Sequence, residues 1–185
     1  MARKATVTET MIIDSAFALM QEEGFEQVTA RKLAAKAGCS TQPIFRLYEN
    51  MDQLIRDLYE KAALYFEQFY AEYPQDDETP FVHLGMAYIH FASVEKNTFR
   101  LLFMSEYRGE KSMYELLNGK TGAVGREIAK AKAEGVSDPG DLFMKMWIFI
   151  HGAACMSLTG DFDLSDEETH ALLKSSYQAY SGVVE

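Results

Sequence analysis

The sequence predicts an all-α protein, and three observations carry that expectation. Apolar residues recur at three- and four-residue spacing through most of the chain, the period of a helix that buries one face. Capping residues stand directly before several of those segments, at Thr29, Ser40, Asn50 and Ser165. Only four prolines occur in 185 residues, and no Gly/Ser-rich or Pro-rich linker divides the chain. A chain of this length buries roughly 70% of its unfolded surface, so it needs no disulfide staples. Hydrophobic residues at 48% and charged residues at 25% give a globular composition.

The first helix is expected over about residues 8–23, with Ile13, Ala16, Phe17 and Met20 facing the helices that follow. Phe25 and Val28 would close that small core. Residues 27–54, QVTARKLAAKAGCSTQPIFRLYENMDQL, organise the rest. Thr29 caps a helix over 30–37 with Leu33, Ala34 and Ala37 on its apolar face. Gly38 ends it, since glycine enters the left-handed conformation without strain. Ser40 caps the next helix, which runs to about Tyr48 with Pro43 in its first turn. Thr41 and Gln42 stand at its exposed N-terminal end, with Arg46 one turn on. This is the helix-turn-helix plan, whose second helix enters the DNA major groove. There glutamine reads adenine and arginine reads guanine. An ordinary helical hairpin is the other reading of the same residues.

Over residues 16–54 the pattern is wider. Ala16, Gly24, Thr29, Arg31, Leu33, Ala34, the Ala37-Gly38 pair, Ser40, the Ile44-Phe45 pair, Tyr48 and Leu54 stand in a distinctive order and spacing. That order resembles the N-terminal domain of the tetracycline-repressor (TetR) family of bacterial regulators, over roughly the first third of the chain. The resemblance implies a three-helix helix-turn-helix DNA-binding domain at residues 1–50. It implies a larger helical ligand-binding and dimerisation domain at 51–185, with about nine helices. It also implies DNA contacts from Thr29, Arg31, Ser40, Thr41, Gln42, Arg46, Tyr48 and Asn50. Phe45, Leu47 and Met51 depart from the pattern, because the family often has Tyr, then His or Tyr, then Lys at those places. The departures remove hydroxyl and ammonium donors for phosphate.

The net charge of −10 is unusual for a DNA binder, but it is unevenly spread. Residues 1–50 hold six Lys/Arg and six Asp/Glu; residues 51–185 hold 12 and 22. The acidity belongs to the second part. Arg3, Lys4, Arg31, Lys36 and Arg46 can still gather on one surface, with Arg3 and Lys4 as a short basic arm. A steep salt dependence is expected from phosphate contacts.

Asn50 caps a long helix, and Gln53 can complete a capping box. That helix, LIRDLYEKAALYFEQFYAEY, is apolar on two stripes and suits a connector. Residues 74–79, PQDDET, form an acidic turn. The next helix, FVHLGMAYIHFASVEKN, is apolar nearly all round and reads as central and buried. Its His83 and His90 lie about 10 Å apart along the axis, poor spacing for a metal pair. A core or cavity-lining role fits them better. TFRLLFMSEY is a short apolar helix. Gly119-Lys120-Thr121 fails as a phosphate loop because Tyr114 stands where glycine is needed and no strand precedes it. Gly119, Gly122 and Gly125 read instead as an interruption between two helical pieces.

The last two helices are expected at about 139–160 and 166–184. In the first, Trp147 and His151 share a face and Gly152 allows close helix approach. The W-x-x-x-H-G run, with FRLLF upstream, resembles the regulatory domain of the Trp-His-Gly (WHG) subgroup of the same family; Thr98 stands where that subgroup often has proline. In the second, Ser165 and Glu168 form a capping box ahead of Leu172, Leu173, Tyr177 and Tyr180. The resemblance implies homodimerisation through these two helices as a four-helix bundle, and binding of double-stranded DNA at a palindromic operator.

The sequence also holds ten Met, twelve Phe and ten Tyr, groups that build adaptable apolar pockets. A small apolar or aromatic effector is the expected ligand, with Tyr88, Phe91, Phe103, Met104, Trp147 and His151 as candidate lining residues; a plain core is the other reading. No cofactor, metal ligand set or catalytic residue is expected, and the chain does not read as an enzyme. His151 beside Cys155 is the one pairing that raises the question. Cys39 and Cys155 are expected as buried thiols. No run reaches ~18 uninterrupted apolar residues, and the N-terminus lacks an apolar signal core, so a cytoplasmic protein with no membrane partner is expected. The reading is a regulator, a repressor by expectation. The alternative is a helical small-molecule-binding or adaptor protein that has lost DNA binding.

Overall fold

The computed structural model describes residues 7–110, 112–119 and 122–182. Arg3, Lys4, Lys120, Thr121 and residues 183–185 lie outside the described residues. The described residues form ten α-helices and no strand: α1 Glu9–Glu23, α2 Ala30–Lys36, α3 Thr41–Leu47, α4 Met51–Glu72, α5 Val82–Val94, α6 Lys96–Phe99, α7 Met113–Asn118, α8 Ala123–Ala133, α9 Pro139–Thr159 and α10 Asp166–Ser181. The chain folds as two compact units. One is Met1–Tyr65 with Glu95–Glu110; the other is Phe66–Val94 with Lys111–Glu185.

In the first unit the buried face of α1 is Ile12, Ala16, Leu19 and Met20. This is one step round from the expected face. Ile12, Ala16 and Leu19 lie i, i+4 and i+7, a tighter stripe than one through Ile13 and Phe17, which flank it half-buried. Phe17 covers the ring of Tyr65 edge-on at 5.3 Å. Val28 is buried; Phe25 is half-buried against Tyr107 at 6.0 Å. Glu95 ties the unit together through polar bonds. It accepts from Tyr65 at 2.8 Å, Gln21 at 3.1 Å and the buried Thr98 at 3.2 Å. The expected helix over TFRLLFMSEY is broken into α6, a π-helical turn at Arg100–Met104 and a 3-10 turn at Glu106–Arg108. Leu101, Leu102 and Phe103 are buried there, and the Leu102 carbonyl accepts from the Tyr59 hydroxyl at 3.3 Å.

In the second unit α5 is buried on nearly every side, as its composition requires, and packs against α9 and α10. The close approach falls at Gly85. A β-carbon there would come within 2.9 Å of Leu173 and 3.1 Å of Ile150. Gly152, the expected crossing point, has nothing within 4 Å because it sits on the outer face of α9. α5 is preceded by Phe81, whose φ of 65° is rare for a side-chain-bearing residue. Its buried ring and its N–H, which donates to the buried Glu127 at 2.9 Å, hold it there. α9 spans 21 residues at a hydropathy of 1.3, long and apolar enough by composition to cross a membrane. Its inner face, including Leu142, Met146, Trp147 and Ile150, is buried in the unit. α10 starts from the expected capping box of Ser165 and Glu168. α7 and α8 are separated by Gly119 and Gly122, both at positive φ, while Gly125 lies inside α8.

Candidate DNA-reading face and regulatory cluster

Local bonding sets the geometry of α2 and α3. The Thr29 hydroxyl accepts the Lys32 N–H at 3.3 Å and starts α2. The turn closes with Gly38 at φ 65° and the Cys39 N–H on the Ala34 carbonyl at 2.9 Å. Ser40 is extended and precedes α3, but its side chain makes no capping bond. Ile44 and Tyr48 anchor α3 in the core. Thr41, Gln42 and Arg46 are all exposed, so the three residues expected to meet base edges stand on the outer side of one short helix. Asn50 accepts the Gln53 N–H at 2.9 Å and starts α4, while the Gln53 side chain accepts from the Glu49 N–H at 2.8 Å. The box therefore closes one residue earlier than expected.

Among the expected DNA residues, Thr29, Arg31, Ser40, Thr41, Gln42, Arg46 and Asn50 are exposed. Tyr48 is not: it is 2% exposed, and its hydroxyl is buried with no hydrogen-bond partner among the described residues. Burial, with Asp57 and Glu9 nearby, pushes that phenol up to about 12. In this arrangement Tyr48 supports α3 from behind. Phe45 and Leu47 are 52% and 38% exposed, so two apolar side chains share the outer side of α3.

The charges show what composition hides. Lys32 is paired with Glu23 and Lys36 with Glu22, each at 2.6 Å, so α1 carboxylates occupy both α2 lysines. Arg31 and Arg46 make no ion pair among the described residues. Of the four cations between residues 7 and 50, these two arginines are the ones without an ion-pair partner among the described residues. Cys39, expected buried, is half-exposed and lines a cleft of about 530 Å³ with Met11, Gln42 and Arg46.

In the second unit Tyr88, Trp147 and His151 come together. Tyr88 and Trp147 meet edge-on at 4.9 Å, and Trp147 stacks on His151 at 5.3 Å. Phe91 is fully buried and reaches Tyr88 through Phe66, which lies 5.0 Å from Phe91 and 6.0 Å from Tyr88. Phe103 and Met104 belong to the other unit: Phe103 packs on Phe99 at 4.8 Å, and Met104 is 57% exposed. The six expected lining residues thus divide between two units. The Cys155 sulfur is 3.6 Å from Nε2 of His151. Burial raises the thiol and lowers the imidazole, which holds both neutral, the reverse of a thiolate–imidazolium pair. Among the described residues no group of three or more His, Cys, Asp or Glu side chains could hold a metal ion. The sequence singled out His83 and His90 but missed their neighbours. Tyr73 lies 5.9 Å from one and 5.6 Å from the other, and an eight-residue break separates Tyr73 from α5, which hid the pairing.

The family model described as bacterial regulatory proteins, tetR family, matches residues 12–58. A second, described as Tetracyclin repressor-like, C-terminal domain, matches residues 81–180. Among solved structures the chain is similar to a TetR family protein from Vibrio parahaemolyticus, at 20% identity and a TM-score of 0.67, over 92% of this chain and 97% of that one. It is also similar to a TetR-like transcriptional regulator from Rhodococcus sp. RHA1, at 15% identity and a TM-score of 0.65, over 98% and 100%. No curated protein matches. At these identities the structural likeness speaks for the fold.

Proposed function

This chain belongs to the tetR family of bacterial regulatory proteins, and on that premise we propose a cytoplasmic repressor that reads a palindromic operator as a homodimer and is released by a small molecule. The observation that carries the DNA reading is the outer side of α3. Thr41, Gln42 and Arg46 are exposed there, and Arg46 and Arg31 are unpaired among the described residues while Lys32 and Lys36 are occupied. Thr29, Ser40 and Asn50 would hold phosphates on either side, and residues 1–50 would act as the reading head with 51–185 as the regulatory part.

The outer face of α9 supports the dimer. Met144, Ile148 and Met156 are 52%, 66% and 47% exposed on one side of α9. Gly152 among them leaves room for a partner helix. Two copies paired here would set two α3 helices to read half-sites one DNA turn apart. The effector is apolar or aromatic and acts at Tyr88, Trp147 and His151, and the run from Trp147 to Gly152 supports a place near the Trp-His-Gly subgroup. Its binding would favour one of two arrangements of the dimer.

A second reading keeps the fold and drops the DNA. Exposed Phe45 and Leu47 stand where phosphate donors would help. Selection from random duplex DNA, with the winner re-measured across salt, tests both. A palindrome bound with a steep salt slope supports the regulator. No enrichment, with or without a metabolite extract, supports the adaptor.

A further inference from the structure

We infer that the first unit carries a binding site for an amphipathic organic anion, a carboxylate on a short apolar tail, in the cleft between the start of α1, the turn after α2, and α3. The site lies on the reading head itself. Binding there goes beyond the DNA reading and does not depend on it. The cleft encloses about 530 Å³, within the range of small-molecule sites.

The spacing of α3 lays two rows along this cleft. Gln42 and Arg46 stand four residues apart and share one side of the helix; Pro43 and Leu47, also four apart, make the neighbouring row. Both rows line the cleft, and α1 adds Met11. Met11 and Leu47 are 41% and 38% exposed, so this apolar surface is open to solvent. A ligand tail that covers it gains the hydrophobic free energy of the area removed from water.

Charge then selects the sign of the ligand. Arg46 makes no ion pair among the described residues, and among them no aspartate, glutamate or lysine lines the cleft. A guanidinium offers a carboxylate two parallel N–H donors, a charge-assisted contact that is strong for its size. Ser40 also lines the cleft, and its side chain makes no capping bond on α3. Its O–H and the Gln42 amide can donate to the same carboxylate. An inorganic anion would use Arg46 and leave the apolar row bare. A lipophilic cation would cover the row and be repelled by Arg46. An anion with an apolar tail uses both.

The test uses the full chain and decanoate as the probe, with decyltrimethylammonium as a tail of equal length and opposite charge. Cys39 lines the cleft and is half-exposed, so its alkylation by iodoacetamide, followed by peptide mass spectrometry, reports occupancy. Decanoate should slow alkylation of Cys39 saturably, about fivefold or more, because the bound tail covers the thiol. Cys155, read in the same digest, should react no faster, which separates binding from unfolding by the tail. Arg46→Gln should raise the decanoate concentration needed roughly threefold to tenfold. Leu47→Ser should raise it about threefold. Lys96→Gln, which removes an exposed cation elsewhere in the same unit, should leave it unchanged. Four results would overturn the inference: no protection of Cys39, equal protection by decyltrimethylammonium, indifference to both cleft variants, or an equal loss in Lys96→Gln. Gln42 and Arg46 also belong to the side of α3 proposed to meet DNA, so on that reading decanoate competes with the operator. A chain that takes up decanoate but no DNA would remove the DNA reading and leave this site standing.

Discussion

The Tyr88 hydroxyl lies 3.0 Å from Nδ1 of His151, and the same imidazole is stacked on Trp147. Burial lowers the affinity of His151 for protons, and it does the same at His83. The unfolded chain therefore binds more protons than the folded one as pH drops below about 6.5, the ordinary histidine value, so stability is full above that pH and falls below it. A series of melting curves from pH 7.5 to 5 should show this decline. His151→Gln should show a shallower one; an unchanged slope would place the pH sensitivity elsewhere.

Gly85→Ala should destabilise the protein by about 1–3 kcal/mol, because the added carbon meets Leu173 and Ile150 in a packed core. Gly152→Ala should be close to neutral in the unfolding of the isolated chain, since that position is open. Urea denaturation of the two variants side by side checks the contrast.

Arg46→Ala and Arg31→Ala should each weaken operator binding and reduce the salt slope by about 1, the signature of one lost phosphate contact. A base contact from Arg46 would add a loss of sequence preference. Lys32→Ala and Lys36→Ala should change affinity less, since Glu23 and Glu22 already hold those ammonium groups. Binding curves at four salt concentrations separate the two classes.

Much of this fold is legible in the sequence. Thr29, Gly38 and Asn50 act through bonds to residues a few positions away, so the sequence itself holds their partners. The face of α1 is not decided by its sequence, because Ile12 and Ile13 are chemically identical and only packing chooses between them. Gly85 and Gly152 raise the same difficulty: a glycine in a helix signals close approach, but not which one is approached. The pairing of Lys32 and Lys36 with α1 could not be read from charge counts, because it depends on how two helices cross. Among the ligand candidates, Tyr88, Trp147 and His151 came together because helical spacing already joined two of them. Phe103 and Met104 are suggested by composition alone, and they lie in the other unit.

Ile148→Glu should shift the protein from dimer to monomer in sedimentation velocity, because it places a charge at the most exposed apolar position of α9. An unchanged sedimentation coefficient at micromolar concentration would remove this face from the dimer proposal.

Asp77→Asn should loosen the loop between α4 and α5. Burial alone would raise the Asp77 carboxyl, but hydrogen bonds from Thr79 and Lys174 outweigh it and bring the group well below the usual carboxylate range. Its stabilisation is present above the unfolded value near 3.8 and is lost as pH falls through the lower folded value. Melting curves between pH 5 and 2.5 should show a smaller acid loss in the variant. Faster proteolysis within 74–80 at neutral pH should accompany it.

The ion pairs that join α1 to α2 bear on how such a protein finds one address on a chromosome. Random DNA offers on the order of a million or more competing positions, all with the same phosphates. A head whose α2 lysines are paired with its own glutamates, on a chain of net charge −10, would have less generic grip on that polymer. On the proposed reading it would dwell briefly at wrong sequences and be held where Arg31, Arg46, Thr41 and Gln42 meet a matching site.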